Sequence, residues 1–311
     1  MKKILVIGSL NMDTVIETPY MPKSGETLAG RSVALAPGGK GANQAYAAGK
    51  LGGSVCMIGA VAQDSFGDML TSNLETVGVD VSGISRIAGA TTGQAFITVD
   101  DAGANSIILI AGTNGMVSKE MIDQNRELIA DCDILMMQLE IDWEVVAYAK
   151  ETAVSMGKMV ILDPAPALAG LPDSFWKNTD YIKPNETELE ILSGRTIVGK
   201  EDIESAAREM LHKGVKNVLV SLGGDGCLLV NQDGCNFYPA NKVKAVDTTA
   251  AGDCFIASFA VALSKGETVS EAISFGQKAS AIAVTRKGAQ TSIPALEEVL
   301  GFLPEITTTL L

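Results

Sequence analysis

The sequence predicts an α/β protein, a mostly parallel sheet covered by helices, and two observations carry that prediction. The first is composition: of 311 residues 47% are hydrophobic but only 5% aromatic. The core must then be built from Ala, Val, Ile and Leu, as in strands buried on both faces. The second is order, because beyond Gly112 short apolar runs alternate with longer segments of helical period, which is the text of repeated strand–helix–strand units. A chain of this length can bury a large core, and no linker, internal repeat or low-complexity stretch divides it.

Taken in order, Lys3 to Gly8 is an apolar run closed by glycine and followed by Ser9-Leu10-Asn11-Met12-Asp13. It reads as a buried strand handing over to a loop at its carboxyl end, where ligands gather in such sheets. Thr14 to Ala36, broken by Pro19, Pro22, Gly25 and Gly30, has strand alternation without helical period and reads as an added antiparallel flap. Pro37 to Asn43 leads into a small-residue helix from Gln44 to Leu51, Val55 to Ala60 is a buried strand, and Ser65 to Val77 a helix. Thr92 to Val99 and Ser106 to Ile110, joined by Asp100-Asp101-Ala102-Gly103-Ala104-Asn105, form a hairpin able to pair with the flap. The remaining strands are expected at Ile134–Gln138, Met159–Leu162, Tyr181–Lys183, Val218–Ser221 and Cys227–Val230. The remaining helices are expected at Ser118–Ala130, Trp143–Met156, Glu186–Leu192, Asp202–Lys213, Gly252–Ser264 and Val269–Thr285. The simplest division is one body, residues 1–13, 37–91 and 111–311, carrying a β lid made from 14–36 and 92–110.

Several function classes are excluded early. A formal charge of −13 leaves no general surface for nucleic acid or an anionic membrane, since neutralising phosphates needs a basic stripe. Cys56, Cys132, Cys227, Cys235 and Cys254 contain no Cys-x-x-Cys pair, which suits free thiols in a reducing cytoplasm. Met1-Lys2-Lys3 and the apolar run after it resemble a leader, but Asn11 and Asp13 cut that run short. No segment approaches the roughly 20 apolar residues of a membrane span. The single histidine, His212, lies in an amphipathic helix, so acid–base work falls to a carboxylate, Lys, Tyr or Cys.

The strongest candidate for chemistry is Asp247-Thr248-Thr249-Ala250-Ala251-Gly252-Asp253. Nearly bare residues open a helix there, and the first N–H groups of a helix are unpaired and can hold an anion. Asp253 in the first turn feels the positive end of the dipole, which favours its ionised form and leaves it free to accept a proton. A carboxylate base beside an anion cradle suits phosphoryl transfer to a hydroxyl. The same text also fits a plain helix start with a favourable first-turn charge.

Gly38-Gly39-Lys40-Gly41 misses the phosphate-loop template, because Gly41 follows the lysine and Ala34 stands where the first glycine belongs. Gly8-Ser9-Leu10 misses the dinucleotide fingerprint, which argues against a nicotinamide-dependent oxidoreductase. The early glycines either expose backbone near Lys40 and Asn43 for a polyol or make a tight turn into the helix. Asn11 and Asp13, two apart after a strand, can fix vicinal hydroxyls or close an Asx turn, and Glu140 has the same address after the strand ending at Gln138. Asn185 and Glu188 share one helix face and suit the waters of a Mg²⁺ ion, or simply start a helix. Ser221-Leu222-Gly223-Gly224-Asp225-Gly226 either admits a nucleotide to its backbone or is an ordinary glycine-rich hairpin.

Gly38 to Asn43, Asp247 to Asp253, Pro184-Asn185-Glu186-Thr187-Glu188 and Thr285-Arg286-Lys287-Gly288-Ala289-Gln290 closely resemble, in that spacing, the signatures of the ribokinase family of carbohydrate kinases. The resemblance runs from about Lys3 to about Pro294, with Ala250 where the commoner family signature has glycine. It implies a central mostly parallel sheet flanked by helices, a β lid over the sugar, and a homodimer formed through the lid. It also implies transfer of the ATP γ-phosphoryl to a sugar's primary hydroxyl, D-ribose O5 foremost, with Mg²⁺ and K⁺ as cofactors. Deoxyribose, fructose, a ketodeoxy acid or a nucleoside are the competing substrates, and a non-catalytic sugar sensor is the competing class.

Carried over residue by residue, Asp253 is the base and the backbone of Ala250, Ala251 and Gly252 holds the phosphoryl group. The sugar falls to Asn11, Asp13, Gly39, Lys40, Asn43, Glu140 and Asp253. The nucleotide falls to Asn185, Ser221, Gly223, Gly224, Asp225, Gly226, Gly252 and Gln277. Asn185 and Glu188 serve Mg²⁺ through water, and Asp247, Thr249, Ala283, Arg286, Gly288 and Ser292 hold K⁺.

Overall fold

Short apolar runs form the centre of the fold because a strand turns successive side chains to opposite faces, and both faces here are covered. The computed structural model of the chain describes residues 2–303. In chain order, β1 (Lys3–Ile7) precedes β2 (Asn11–Glu17), β3 (Ser32–Gly38), α1 (Lys40–Lys50), β4 (Ser54–Ala62), α2 (Ser65–Glu75), β5 (Asp80–Ile87), β6 (Gly93–Val99) and β7 (Asn105–Ile110). Next come α3 (Lys119–Gln124), α4 (Arg126–Asp131), β8 (Ile134–Met137), α5 (Trp143–Ser155), β9 (Met159–Leu162), α6 (Asp173–Trp176), β10 (Thr179–Ile182), α7 (Glu186–Ser193) and α8 (Lys200–His212). The chain continues through β11 (Val215–Ser221), β12 (Gly226–Asn231), β13 (Gly234–Pro239), α9 (Ala251–Ser264), α10 (Val269–Ala283) and α11 (Leu296–Leu300).

Nine strands form one sheet in the order β13-β12-β11-β10-β9-β8-β1-β4-β5. Every pairing from β11 to β5 is parallel, whereas β12 is antiparallel to both neighbours. Along β1, Ile4 and Val6 enter a core shared with α1, α9 and α10, while Leu5 and Ile7 enter a second core shared with α3, α5, α7 and α8. Ile134 and Met136 of β8 divide from Leu135 and Met137 in the same way. Two helical layers therefore sandwich the sheet, the arrangement expected from sequence. Helix α9 is apolar all round and is buried at every residue from Asp253 to Ser264, as a helix without a polar face must be. No described helix is long and apolar enough to cross a membrane.

The separate second sheet has the order β3-β2-β6-β7. Its two halves are the flap and the hairpin anticipated from sequence, but β2 and β6 meet in parallel register, Asn11 opposite Gly93. The sheet also takes up Asn11 to Asp13 and Pro37-Gly38, so the strand carrying Asn11 and Asp13 belongs to it. Other differences have local causes. Helix α1 begins at Lys40, four residues before the expected start, because Ala42 N–H donates to Ser9 O at 2.8 Å and anchors the first turn on the end of β1. The single helix expected at Ser118–Ala130 is broken at Asn125, whose amide donates to Met121 O at 2.9 Å. Strands β5 and β13 had no sequence signal; both lie at edges of the large sheet and alternate only irregularly.

In the β2–β3 pair a Cβ on Gly38 would fall 2.1 Å from Asp13 Oδ2, so only glycine lets the two strands close over this carboxylate. Burial first, and the Glu140 carboxylate second, push the Asp13 carboxyl from 3.8 up to about 7. The folded protein thus binds this proton more tightly than the unfolded chain. The corresponding stability is present in full below the unfolded value of 3.8 and is lost as pH rises through about 7. Asp13→Asn should remove that loss. In urea unfolding of the ligand-free protein the variant should exceed the parent by on the order of 2 kcal/mol at about pH 8 and match it at about pH 4. Identical pH profiles for the two proteins would contradict this account of Asp13.

Candidate active site

Strand β1 is the point where the order of the large sheet reverses, with β4 leaving on one side and β8 on the other, and a crevice opens at the carboxyl ends of strands at such a point. The residues that follow β1 and β8 meet there. Ser9 Oγ donates to Glu140 Oε2 at 2.5 Å, and Lys40 N–H donates to the same oxygen at 2.9 Å. Gly39, at φ +86°, is the residue from which α1 starts. Asn114 fixes Asn11: its amide donates to Asn11 Oδ1 at 2.7 Å while also bonding both the N–H and the C=O of Leu10.

Asp253 joins this group from the other end of the chain. It is 5% exposed, and its two oxygens accept from Asn43 Nδ2 and Gln44 Nε2, each at 3.0 Å. Gln44 Nε2 also donates to Asp163 Oδ2 at 3.0 Å, so one amide tethers two buried carboxylates. Gln138 Nε2 holds Gln44 Oε1 at 2.6 Å, and Gln290 Nε2 holds Asn43 Oδ1 at 3.1 Å. Lys183 Nζ lies 3.4 Å from Asp163 Oδ1.

The electrostatics differ from the sequence expectation that the helix dipole decides the charge of Asp253. Burial pushes its carboxyl up; Lys40 opposes the shift and Asp163 adds to it. A carboxyl raised in this way is a better proton acceptor than a free aspartate. At Lys40 burial disfavours the ammonium, but the carboxylates of Asp253, Asp163, Glu140 and Glu188 together outweigh it and raise its pKa. Lys40 is thus the cation common to the early loop, the α9 start and α7.

At the start of α9, Ala250 has φ +56°. Ala251 N–H donates to Thr248 O at 3.2 Å, which corrects the expectation that this group is open to a ligand. Among the described residues the N–H groups of Ala250, Gly252 and Asp253 make no hydrogen bond. They are the unpaired N–H groups of this helix start.

Asn185 and Glu188 form a capping box, Asn185 Oδ1 accepting from Glu188 N at 2.7 Å and Glu188 Oε2 from Asn185 N at 2.8 Å. This is the plain helix-start reading in full, yet Glu188 Oε1 accepts no bond among the described residues and burial raises the Glu188 carboxyl. Ser221 stands beside Asn185 in a parallel bridge, its N–H donating to Pro184 O at 2.9 Å. Gly223, Gly224 and Asp225 form an exposed turn leading to Gly226, with Lys242 Nζ on Gly224 O at 2.7 Å. The Gln277 amide is turned onto the sheet, donating to Tyr238 O at 2.9 Å.

Asp247 and the loop after α10 meet closely. Asp247 Oδ1 accepts from Thr249 N and Oγ1 at 2.9 and 2.7 Å, and Oδ2 accepts from Gly288 N at 2.8 Å. Burial works against the Asp247 carboxylate, but the Gly288 and Thr249 hydrogen bonds hold it below the ordinary range. Arg286 N–H donates to Ala283 O at 3.0 Å, while its guanidinium pairs with Glu298. The Ser292 hydroxyl is buried and donates to Ala289 O at 2.7 Å. A surface cavity of about 320 Å³ between Lys265, Phe275, Lys278 and Leu296 contains none of these residues.

Sequence reasoning missed Ser9, Gln44, Asn114, Gln138, Asp163, Lys183 and Gln290. The signal for four of them was available. Ser9, Gln138, Asp163 and Lys183 each follow closely on a buried parallel strand, the address already used for Asn11 and Glu140.

The match to the pfkB family carbohydrate kinase model spans residues 1–296. A ribokinase of Haemophilus influenzae is 41% identical over 302 residues, covering 97% of this chain and 98% of that protein. A deoxyribokinase of Salmonella typhi is 39% identical over 300 residues, covering 96% and 98%. The solved structure of Arabidopsis thaliana ribokinase complexed with ribose and ATP superposes with a TM-score of 0.91 at 32% identity, covering 96% of this chain and 97% of that one. The chain therefore belongs to the pfkB family of carbohydrate kinases and is a sugar kinase of the ribokinase type.

Proposed function

We propose that the protein transfers the γ-phosphoryl group of ATP to O5 of D-ribose, giving D-ribose 5-phosphate and ADP. The observation that carries this reading is the meeting of Asp253 with Asn43 and Gln44, which puts a proton acceptor and unpaired helix N–H groups in one cluster with the polar start of α1. The similarity to ribokinases, one of them solved with ribose and ATP, supports ribose as the acceptor. Asp253 takes the proton of the sugar hydroxyl as its oxygen attacks phosphorus, and the N–H groups of Ala250 and Gly252 hold the charge that develops on the phosphoryl oxygens. Rate then comes from positioning and charge, with no covalent intermediate. Asn11, Asp13 and Glu140 fix the remaining hydroxyls, with Gly39, Lys40 and Asn43 closing the sugar site.

Asn185 and Glu188 would hold a hydrated Mg²⁺, since Glu188 Oε1 accepts no bond among the described residues, and the ion would supply positive charge to the phosphates. Asp247 and Thr249, with the main-chain oxygens of Ala283 and Gly288, would hold K⁺ by oxygen alone, and the ion would add fixed positive charge beside Asp247. Ser221 to Gly226 line the nucleotide; Gln277 braces that wall through Tyr238.

A second reading, the same transfer to 2-deoxy-D-ribose, is favoured by the similarity to the S. typhi deoxyribokinase; ADP release across a sugar panel separates the two. Asp253→Asn should lower kcat on the preferred sugar by roughly 10²–10⁴-fold while calorimetric affinities for sugar and ATP stay within about threefold of the parent. Turnover at the parental rate in a folded Asp253→Asn protein would refute the base.

The second sheet supports a homodimer. Val33, Leu35, Phe96, Ile107, Ile108, Leu109 and Ile110 are all exposed, Ile108 by 65%, and among the described residues β7 is an edge strand with no neighbour on its outer side. An apolar edge of this kind calls for a partner. Ile108→Glu should convert a dimer to a monomer in sedimentation velocity, and a parent protein that sediments as a monomer at micromolar concentration would exclude this interface.

A further inference from the structure

Lys183 follows β10 directly and is 5% exposed. Its Nζ lies 3.4 Å from Asp163 Oδ1. Among the described residues that oxygen has no hydrogen-bond partner, although Asp163 is only 1% exposed. A Cβ on Gly252 would fall 2.8 Å from Lys183 Nζ. The ammonium therefore lies against the first turn of α9, at the residue whose N–H is unpaired.

This arrangement is unfavourable as it stands. A buried cation incompletely engaged by its counter-ion is costly, and the N-terminal end of a fourteen-residue helix is itself positive. Two positive groups directed at one point are reconciled by an anion between them, as at helix N-termini that bind phosphate. Gln44 ties Asp163, the partner of this ammonium, to Asp253, so the cation belongs to the same cluster as the base.

We propose that Lys183 is a further catalytic residue of this kinase, its ammonium holding an oxygen of the phosphoryl group in transit together with the Gly252 N–H, and that Asp163 is the positioning residue for that ammonium. The proposal rests on the phosphoryl-transfer reading of the Asp253 site and adds a cation to it. The bond from the γ-phosphorus to the ADP oxygen breaks, the bond from the sugar oxygen forms, and the hydroxyl proton goes to Asp253. Lys183 takes no part in that proton transfer. It stabilises charge and transfers nothing.

The test uses Lys183→Met, Lys183→Arg, Asp163→Asn and the Lys183→Met/Asp163→Asn pair, each checked for folding by circular dichroism. Lys183→Met should lose about 10²–10³-fold in kcat, the loss typical of removing one charge-stabilising donor, with the KM for sugar within about threefold. Calorimetry should find ADP binding within about threefold of the parent, but the tightening produced by adding aluminium fluoride, a mimic of the transferring phosphoryl, should disappear. Lys183→Arg should keep part of that tightening. The paired variant should be no slower than Lys183→Met alone, because Asp163 acts through the lysine. A folded Lys183→Met protein with parental kcat and parental tightening by aluminium fluoride overturns the proposal. If the parent binds ADP with aluminium fluoride tightly but phosphorylates no sugar, the sugar-kinase reading falls while the fluoride comparison still judges Lys183.

Discussion

Gln44 holds two carboxylates apart inside the protein, and the rest of the site is arranged around that constraint. Its amide nitrogen donates to Asp253 and to Asp163 at 3.0 Å each, and neither carboxylate is more than 5% exposed. Two buried like charges this close are tolerated only with hydrogen bonds and cations to match. Lys40 supplies charge from the α1 side and Lys183 from the β10 side. The result is a carboxyl of raised pKa in the first turn of a helix where, among the described residues, the N–H groups of Gly252 and Asp253 make no hydrogen bond.

The fold explains how residues so far apart in sequence reach one point. Parallel strands place every carboxyl end at the same edge of the sheet, so the segments after β1, β8, β9 and β10 converge there. Helix α9 brings Asp253 to the same edge because it is buried from Asp253 to Ser264 and so has one available position. The small sheet then covers the edge with the strand that carries Asn11 and Asp13. Burial raises the carboxyl pKa values at Asp13, Asp253 and Glu188 alike. Desolvation is thus a property of the whole site rather than of one residue.

The layered α/β architecture was legible because buried parallel strands such as Ile134–Met137 are unbroken apolar runs, and the place of Asp253 in a first helical turn was legible because bare residues there precede an apolar run. The edge strand Asp80–Ile87 was not, since its exposed positions carry Asp80, Ser82 and Arg86 and dilute the pattern. The early start of α1 was hidden by Gly39 and Gly41, poor helix formers that contact with Ser9 overrides. Asp163 and Lys183 share the strand-end address of Asn11 and Glu140, but neither has a local partner, and their pairing shows only when strands β9 and β10 lie side by side. The dipole argument at Asp253 gave the wrong balance of charge for the same cause, because burial and Asp163 are tertiary facts.

The central claim is that the cluster around Asp253 receives a sugar hydroxyl and a phosphoryl group at once. A crystal structure with D-ribose and a non-hydrolysable ATP analogue tests it most directly. The account expects the primary hydroxyl within about 3 Å of an Asp253 oxygen and the terminal phosphate on the Gly252 N–H. A sugar bound with that hydroxyl beyond the reach of one bridging water, or a phosphate bound away from the start of α9, would contradict it.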